Sequence, residues 1–565
     1  MFKKLTVVFS TLSCCIPSWE AFAGVSTEMP VIQTMEMASI NPETCGIDQG
    51  GETSIPITLW QGLTHAQMMN VLRQLPNYQT NSLLALLQRR FLLASAQVPS
   101  KGKQDTESGL SLRVAQLEKS GNIISAYQLA SEFPEGLELQ RWNRIQFAYY
   151  LGLDNYNQAL SIARKALQQH PEDTSWIQAV IGINLLKGEK EAADMALSLL
   201  EEQGDSNTKA FRDLAHAYLQ GVPFAEDFSP QTVLEKKLWV EDRLARHKRI
   251  PDEMLELALM GKKKESLKPK ERLSLVERAF QRGMISQEDM TRLYQEFLES
   301  PALTTEPTSK PFSDLDELLT TLTEPLPVQW KRDDPLLRSH LLRSSQQATA
   351  EEKKAFLLGQ WARNLVKYGV EDLGFLGMKD LLSLQVLPEF KNEALFFCCL
   401  LLYHQQNEKA MQWLSLLSLE EKIMLAPWII LLIDDLKLEA KQALFSHWMN
   451  AFEKDARTLA EILRAIEIFE AIVPGVTQYY SLSIPLPLSN QTETRGTTLL
   501  GPLHFALPLQ HGVALAYALM LGKEVFDSPN ASLAPFVITA LKSLGYDNIA
   551  KRLALGFFKG AGLPL

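Results

Sequence analysis

The chain has 565 residues, 46% of them apolar and 22% charged, with a formal net charge of −10. That composition supplies a large core and excludes a low-complexity or disordered chain. The acidic balance argues against a nucleic-acid partner, because a phosphate backbone rewards clustered Lys and Arg. The densest basic run, GKKKESLKPKER from Gly261, is broken by two Glu and reads as a solvated helix end or loop.

The first residues read as an address. Lys3 and Lys4 precede an apolar stretch, and Ala21-Phe22-Ala23 has the A-x-A pattern of a secretory cleavage site. Residues 1–23 are therefore expected to be removed as a signal peptide, with the bacterial periplasm as destination. Lipid anchoring at Cys14 or Cys15 ranks second, since TLSCC lacks a good small-residue context before the cysteine. No other segment reaches the roughly 20 apolar residues that span a bilayer, so no transmembrane helix is expected after cleavage. Residues 24–56, rich in Thr, Glu, Gly and Pro, read as a flexible segment. Three cysteines follow the signal. Cys398 and Cys399 are adjacent in a helical run, so their side chains diverge. A bond from Cys45 to one of them stays open.

The pattern over residues 57–299 is helical, and its centre repeats. LDNYNQALSIARKALQQHP, from Leu153, carries Tyr156, then Ala159, Ala163 and Ala166, and ends at Pro171. An earlier copy places Ala126 and Ala130 at the same positions, and a later one places Ala193 there. The steps are 33 residues from Ala126 to Ala159 and 34 from Ala159 to Ala193. Small residues let two helices cross closely without loss of helix propensity. Tyr150 and Tyr156 fill the gaps beside them, and Pro171 stops the helix. Phe211, Leu214, Ala215 and Tyr218 then follow the spacing W-x₂-L-G-x₂-Y. These residues resemble the tetratricopeptide repeat (TPR) family over about 109–221. The resemblance implies an all-α fold, a TPR-like α-solenoid of stacked antiparallel hairpins, in which neighbours cover each other's apolar faces.

The remainder also reads as helix. Thr349 with Glu352 and Ser418 with Glu421 fit capping boxes, and Ser229-Pro230 fits an N-cap followed by proline. Two further helix–turn–helix units place Ala410 and Ala550 at the crossing. Residues 300–328 read as a linker between the first helical array and a second, 329–565. An irregular insertion at about 473–512 interrupts the second array. Within it, YYSLSIPLPLSN from Tyr479 could run extended, but its prolines demote it to an edge or loop.

Catalytic signatures are lacking. There is no phosphate-binding G-x-x-x-x-G-K-[ST], no G-x-S-x-G elbow, no H-E-x-x-H and no C-x-x-C. No cofactor or metal is expected, and His216 and His404 read as helix residues rather than ligands. The TPR resemblance implies a concave surface made by the first helix of each hairpin. Arg141 and Arg144 fall on it in one copy, and Lys209, Arg212 and His216 in another. Some TPR domains hold peptide carboxylates with basic residues there, so an acidic or C-terminal peptide is the implied ligand. The expected function is an exported scaffold or adaptor for protein partners in the cell envelope, with possible cell-wall contact. A second reading is a peptidoglycan-acting enzyme or accessory subunit, since the chain resembles the superhelical part of a lytic transglycosylase. A third is a structural homo-oligomer.

Overall fold

A computed structural model describes residues 41–47, 55–77, 79, 81–102, 107–202, 208–224, 228–261, 267–299, 333–455, 459–478, 503, 506–507, 511–527 and 533–560. The expected signal peptide, the expected linker and the Tyr479 segment lie outside them. Among the described residues there are α-helices and short 3₁₀ turns and no strand, so the fold is all-α.

The first helices are α1 (His65–Gln74) and α2 (Ser82–Leu93). Three hairpins follow: α3 (Gly109–Lys119) with α4 (Ile123–Glu132), α5 (Leu139–Gly152) with α6 (Tyr156–Gln169), and α7 (Thr174–Lys187) with α8 (Lys190–Glu202). After α9 (Lys209–Gln220) come α10 (Val233–Ala245), α11 (Leu255–Met260), α12 (Pro269–Gln281) and α13 (Gln287–Glu299). Each helix from α3 to α9 packs on the next. The second helices of the hairpins start at Ile123, Tyr156 and Lys190, which keeps the steps of 33 and 34 residues. Ala126, Ala130, Ala159, Ala163, Ala166 and Ala193 are all completely buried. A larger side chain at these crossings would force the helices apart. Phe211, Leu214 and Ala215 are buried on α9, while Tyr150, Tyr156 and Tyr218 pack half-buried against the same core. Pro171 is exposed in the turn after α6. Helices α7 and α9 end on Gly188 and Gly221, with φ of 79° and 67°. Nothing would crowd a Cβ at either glycine, so the requirement there is the left-handed backbone itself.

Beyond the undescribed stretch the chain forms α14 (Pro335–Gln347), α15 (Glu351–Tyr368), α16 (Met378–Ser383), α17 (Lys391–Tyr403), α18 (Asn407–Leu414), α19 (Leu419–Met424) and α20 (Ala426–Leu432). It ends in α21 (Leu438–Asp455), α22 (Leu459–Ile472), α23 (His511–Asp527), α24 (Ala534–Ser543) and α25 (Asp547–Gly560). Ala410 and Ala550 are completely buried in the hairpins α17–α18 and α24–α25. The capping box of Ser418 and Glu421 forms at α19. The one expected at Thr349 does not: α15 starts at Glu351 behind Ala350, which puts Thr349 one position too early. Ser229 is likewise not a cap, because Thr232 and Glu235 form a capping box at the start of α10. Cys45, Cys398 and Cys399 are thiols rather than partners in a disulfide.

One hydrophobic cluster is built on α5–α12, and a larger one joins α1–α4, α12 and α13 to the C-terminal helices. The first described helices, α1 and α2, meet α23. Gln79 donates to the Leu519 carbonyl at 2.9 Å, and the Gly512 N–H donates to the Leu59 carbonyl at 3.0 Å. A Cβ on Gly512 would stand 2.3 Å from that oxygen, so only glycine fits. A buried polar network links α12 and α13 to α14 and α15. Arg338, on α14, pairs with Glu277 and reaches Asn364 at 3.1 Å, and the Tyr294 hydroxyl donates to Glu277. Residues 41–47, the first described part of the segment expected to be flexible, are pinned by Arg113. Its guanidinium donates to the carbonyls of Leu92, Cys45 and Ala94 at 2.7, 2.8 and 2.9 Å.

Helix α4 has an N-cap, Asn122, whose side chain makes no capping bond. Glu256 of α11 supplies it, accepting from the N–H groups of Ile123 and Ile124. Burial pushes the Glu256 carboxyl up to about 7, against the pull of Arg89 and of those two N–H groups. Folding therefore takes up a proton between about pH 4.5 and 7. The stability this contributes is complete below the ordinary carboxyl value and is lost as pH rises through the folded value. Glu256→Gln keeps an acceptor oxygen and removes the titration. Urea unfolding at pH 4.5 and pH 8 should show the wild type losing roughly 2–3 kcal/mol relative to the variant. A constant difference across that range would contradict the assignment.

Candidate partner-binding face and adjoining cavity

The first helices of the hairpins, α5, α7 and α9, all contact α10. The face expected to meet a partner therefore carries a helix of the same chain. Gly182 on α7 makes the crossing close: a Cβ there would come within 2.5 Å of the Leu234 side chain. A charged group fixes the register. Lys237 of α10 is fully buried, with its Nζ 2.7 Å from Asp154 Oδ1 and 2.6 Å from Glu241 Oε1. Asp154 sits in the turn between α5 and α6 at φ 56°, a conformation that costs a non-glycine residue free energy. Its carboxylate also accepts from the Tyr156 hydroxyl at 2.9 Å. Burial, then the carboxylates of Asp154 and Glu241, push the Tyr156 phenol well above its ordinary value.

The basic residues expected on this face separate into two groups. Arg141 lies 3.6 Å from Glu118 of α3, and Arg144 lies 3.3 Å from Asp173, the N-cap of α7. Against the cost of burial, Ser175 and Arg144 hold the Asp173 carboxyl below its ordinary range. On α9, His216 pairs with Glu201 of α8 at 2.6 Å, which turns it toward the second helix of the preceding hairpin. Lys209 is exposed. Arg212 is half-buried, and its Nε has no acceptor among the described residues.

Arg144 also lines a cavity of about 340 Å³, whose walls come from α3, α5, α7 and the first turn of α10. Arg141, Lys209, Arg212 and His216 are not in its lining. Of the lining residues only Arg144 was anticipated; Glu118, Lys119, Trp176 and Lys236 are among those that were not. Trp176 carries a readable signal, since it stands 35 residues before Phe211, at the tryptophan position of the repeat. Lys236 carries none, because it belongs to a helix outside the repeat. A second cavity, lined by Gln79, Gln88, Arg89 and Arg282 among others, measures about 10 Å³ and has room for no ligand larger than water.

Elsewhere, His404 Nε2 lies 2.9 Å from the Glu371 carbonyl oxygen. Burial pushes the Cys398 thiol far up, which makes it inert. Among the described residues, no group of three or more His, Cys, Asp or Glu side chains could hold a metal ion, and no helix is long and apolar enough to cross a membrane. Comparison with protein-family models, with curated proteins and with solved structures returns no match.

The seating of α10 rests on Lys237. Lys237→Met would leave Asp154 and Glu241 facing each other without a cation. Urea unfolding followed by tryptophan fluorescence should show a loss of about 3–5 kcal/mol. A loss below about 1 kcal/mol would mean that the buried pairs do not hold the helix.

Proposed function

We propose that this chain is an exported scaffold or adaptor of the bacterial cell envelope, resident in the periplasm, that holds protein or peptide partners of acidic character. Its helices α3–α9 are read as a TPR-like array, and the surface that takes the partner is the exposed part of the first-helix face on α9. The observation that carries this reading is the run of completely buried alanines, Ala126, Ala159 and Ala193, at steps of 33 and 34 residues in successive hairpins. Such a run repeats one helix crossing and lines up equivalent residues of the first helices on one face. On that face Arg141 and Arg144 already pair with carboxylates of this chain. Lys209 and Arg212 are the cations left to meet a partner's carboxylates, through charge-assisted hydrogen bonds.

The test is crosslinking of the tagged, exported protein in cells, followed by mass spectrometry. Wild type is compared with Lys209→Glu and with the double variant Lys209→Glu, Arg212→Glu. Because Lys209 is exposed, its reversal leaves helicity and thermal unfolding unchanged. A defined partner should be recovered with the wild type. Its yield should fall roughly tenfold with the double variant and by a smaller factor with Lys209→Glu. A partner recovered equally with all three proteins would sink the proposal.

A further inference from the structure

The cavity beside α10 is a separate feature from the exposed cations of α9, and its chemistry suits a different kind of ligand. Its floor is apolar: Phe147, Ala148, Trp176, Ala179 and Leu234 are all buried. Its mouth carries Lys119, Arg144 and Lys236, with Lys119 and Arg144 exposed to solvent. Glu118 is the single carboxylate in the lining. Burial keeps its carboxyl above the ordinary range although Arg141, Arg144, Lys236 and Lys119 all pull it down. The lining therefore presents three cations, of which Arg144 already lies 3.3 Å from Asp173, and one carboxylate whose neutral form is favoured by burial.

Trp176 is only 3% exposed, and its ring stands edge-on to Phe147 with centroids 5.7 Å apart. The volume, about 340 Å³, falls at the small end of pockets that enclose small organic molecules, roughly 300–1,000 Å³. It holds a ring and a short chain and is too small for a helical or extended peptide.

We propose that this cavity binds a small amphipathic carboxylate, with its apolar body on the Phe147–Trp176 floor and its carboxylate among Lys236, Arg144 and Lys119. A cationic ligand would meet the positive mouth. A neutral one would forgo the attraction of Lys236 and Lys119.

The probe is hydrocinnamate, compared with its amide and with phenylpropylamine, each titrated into the full chain by calorimetry and ligand-observed NMR. Hydrocinnamate should bind with a Kd of about 1 mM or tighter, and the amide and amine about tenfold more weakly or worse. Lys236→Gln should weaken hydrocinnamate about fivefold, and Glu118→Gln should tighten it. The proposal is overturned if hydrocinnamate does not bind, if it binds no better than its amide, or if Lys236→Gln retains full affinity.

Discussion

A buried lysine decides how the hairpins are used. Lys237 lies between Asp154 and Glu241 with no access to solvent, and a buried ammonium is tolerated only where carboxylates surround it. Asp154 must adopt a left-handed backbone to take part, and the Tyr156 hydroxyl steadies its carboxylate. The turn between α5 and α6 is thus shaped to receive a helix lying about eighty residues further along the chain. Once Lys237 is seated, Leu234 is driven against Gly182, and the first turn of α10 closes one wall of the cavity over Phe147 and Trp176.

That arrangement divides the face of the first helices into regions with different chemistry. Over α5 and α7 the chain supplies its own helix, and Arg141 and Arg144 are engaged with Glu118 and Asp173. Toward α9 the basic residues are less committed, with Lys209 exposed and only His216 in an ion pair. Among α3, α5, α7 and the first turn of α10 lies a pocket with an apolar floor and a cationic mouth. On the proposed reading, a macromolecule is held at α9 and a small molecule in the pocket. The two share α10, so occupancy of the pocket would bear on how firmly that helix is held.

Much of the fold is written locally. The alanine steps mark helix crossings because a crossing tolerates only small side chains, and burial of Ala126, Ala159 and Ala193 follows from that. The Ser418–Glu421 cap is legible because both partners lie within one turn. The Thr349 box failed by a single residue, because α15 starts at Glu351 behind Ala350. Thr232 with Glu235 displaced Ser229 because it satisfies the helix start reciprocally. In the site, Arg141 and Arg144 were placed by periodicity, but the carboxylates that occupy them belong to neighbouring helices. Lys237 and Lys236 were beyond reach, since nothing in a stretch such as VLEKKLWVEDRLA says which lysine is buried or against which turn. The resemblance to TPR proteins rests on spacing alone and was silent on a helix that lies across the face.

The claim that α10 is seated on α5 and α7 is tested most directly by hydrogen–deuterium exchange of the full chain. Amides of residues 233–245 should exchange as slowly as those of 139–152 and 174–187, because all three helices open together. Exchange over 233–245 at the rate of exposed turns, while α5 and α7 stay protected, would contradict the account.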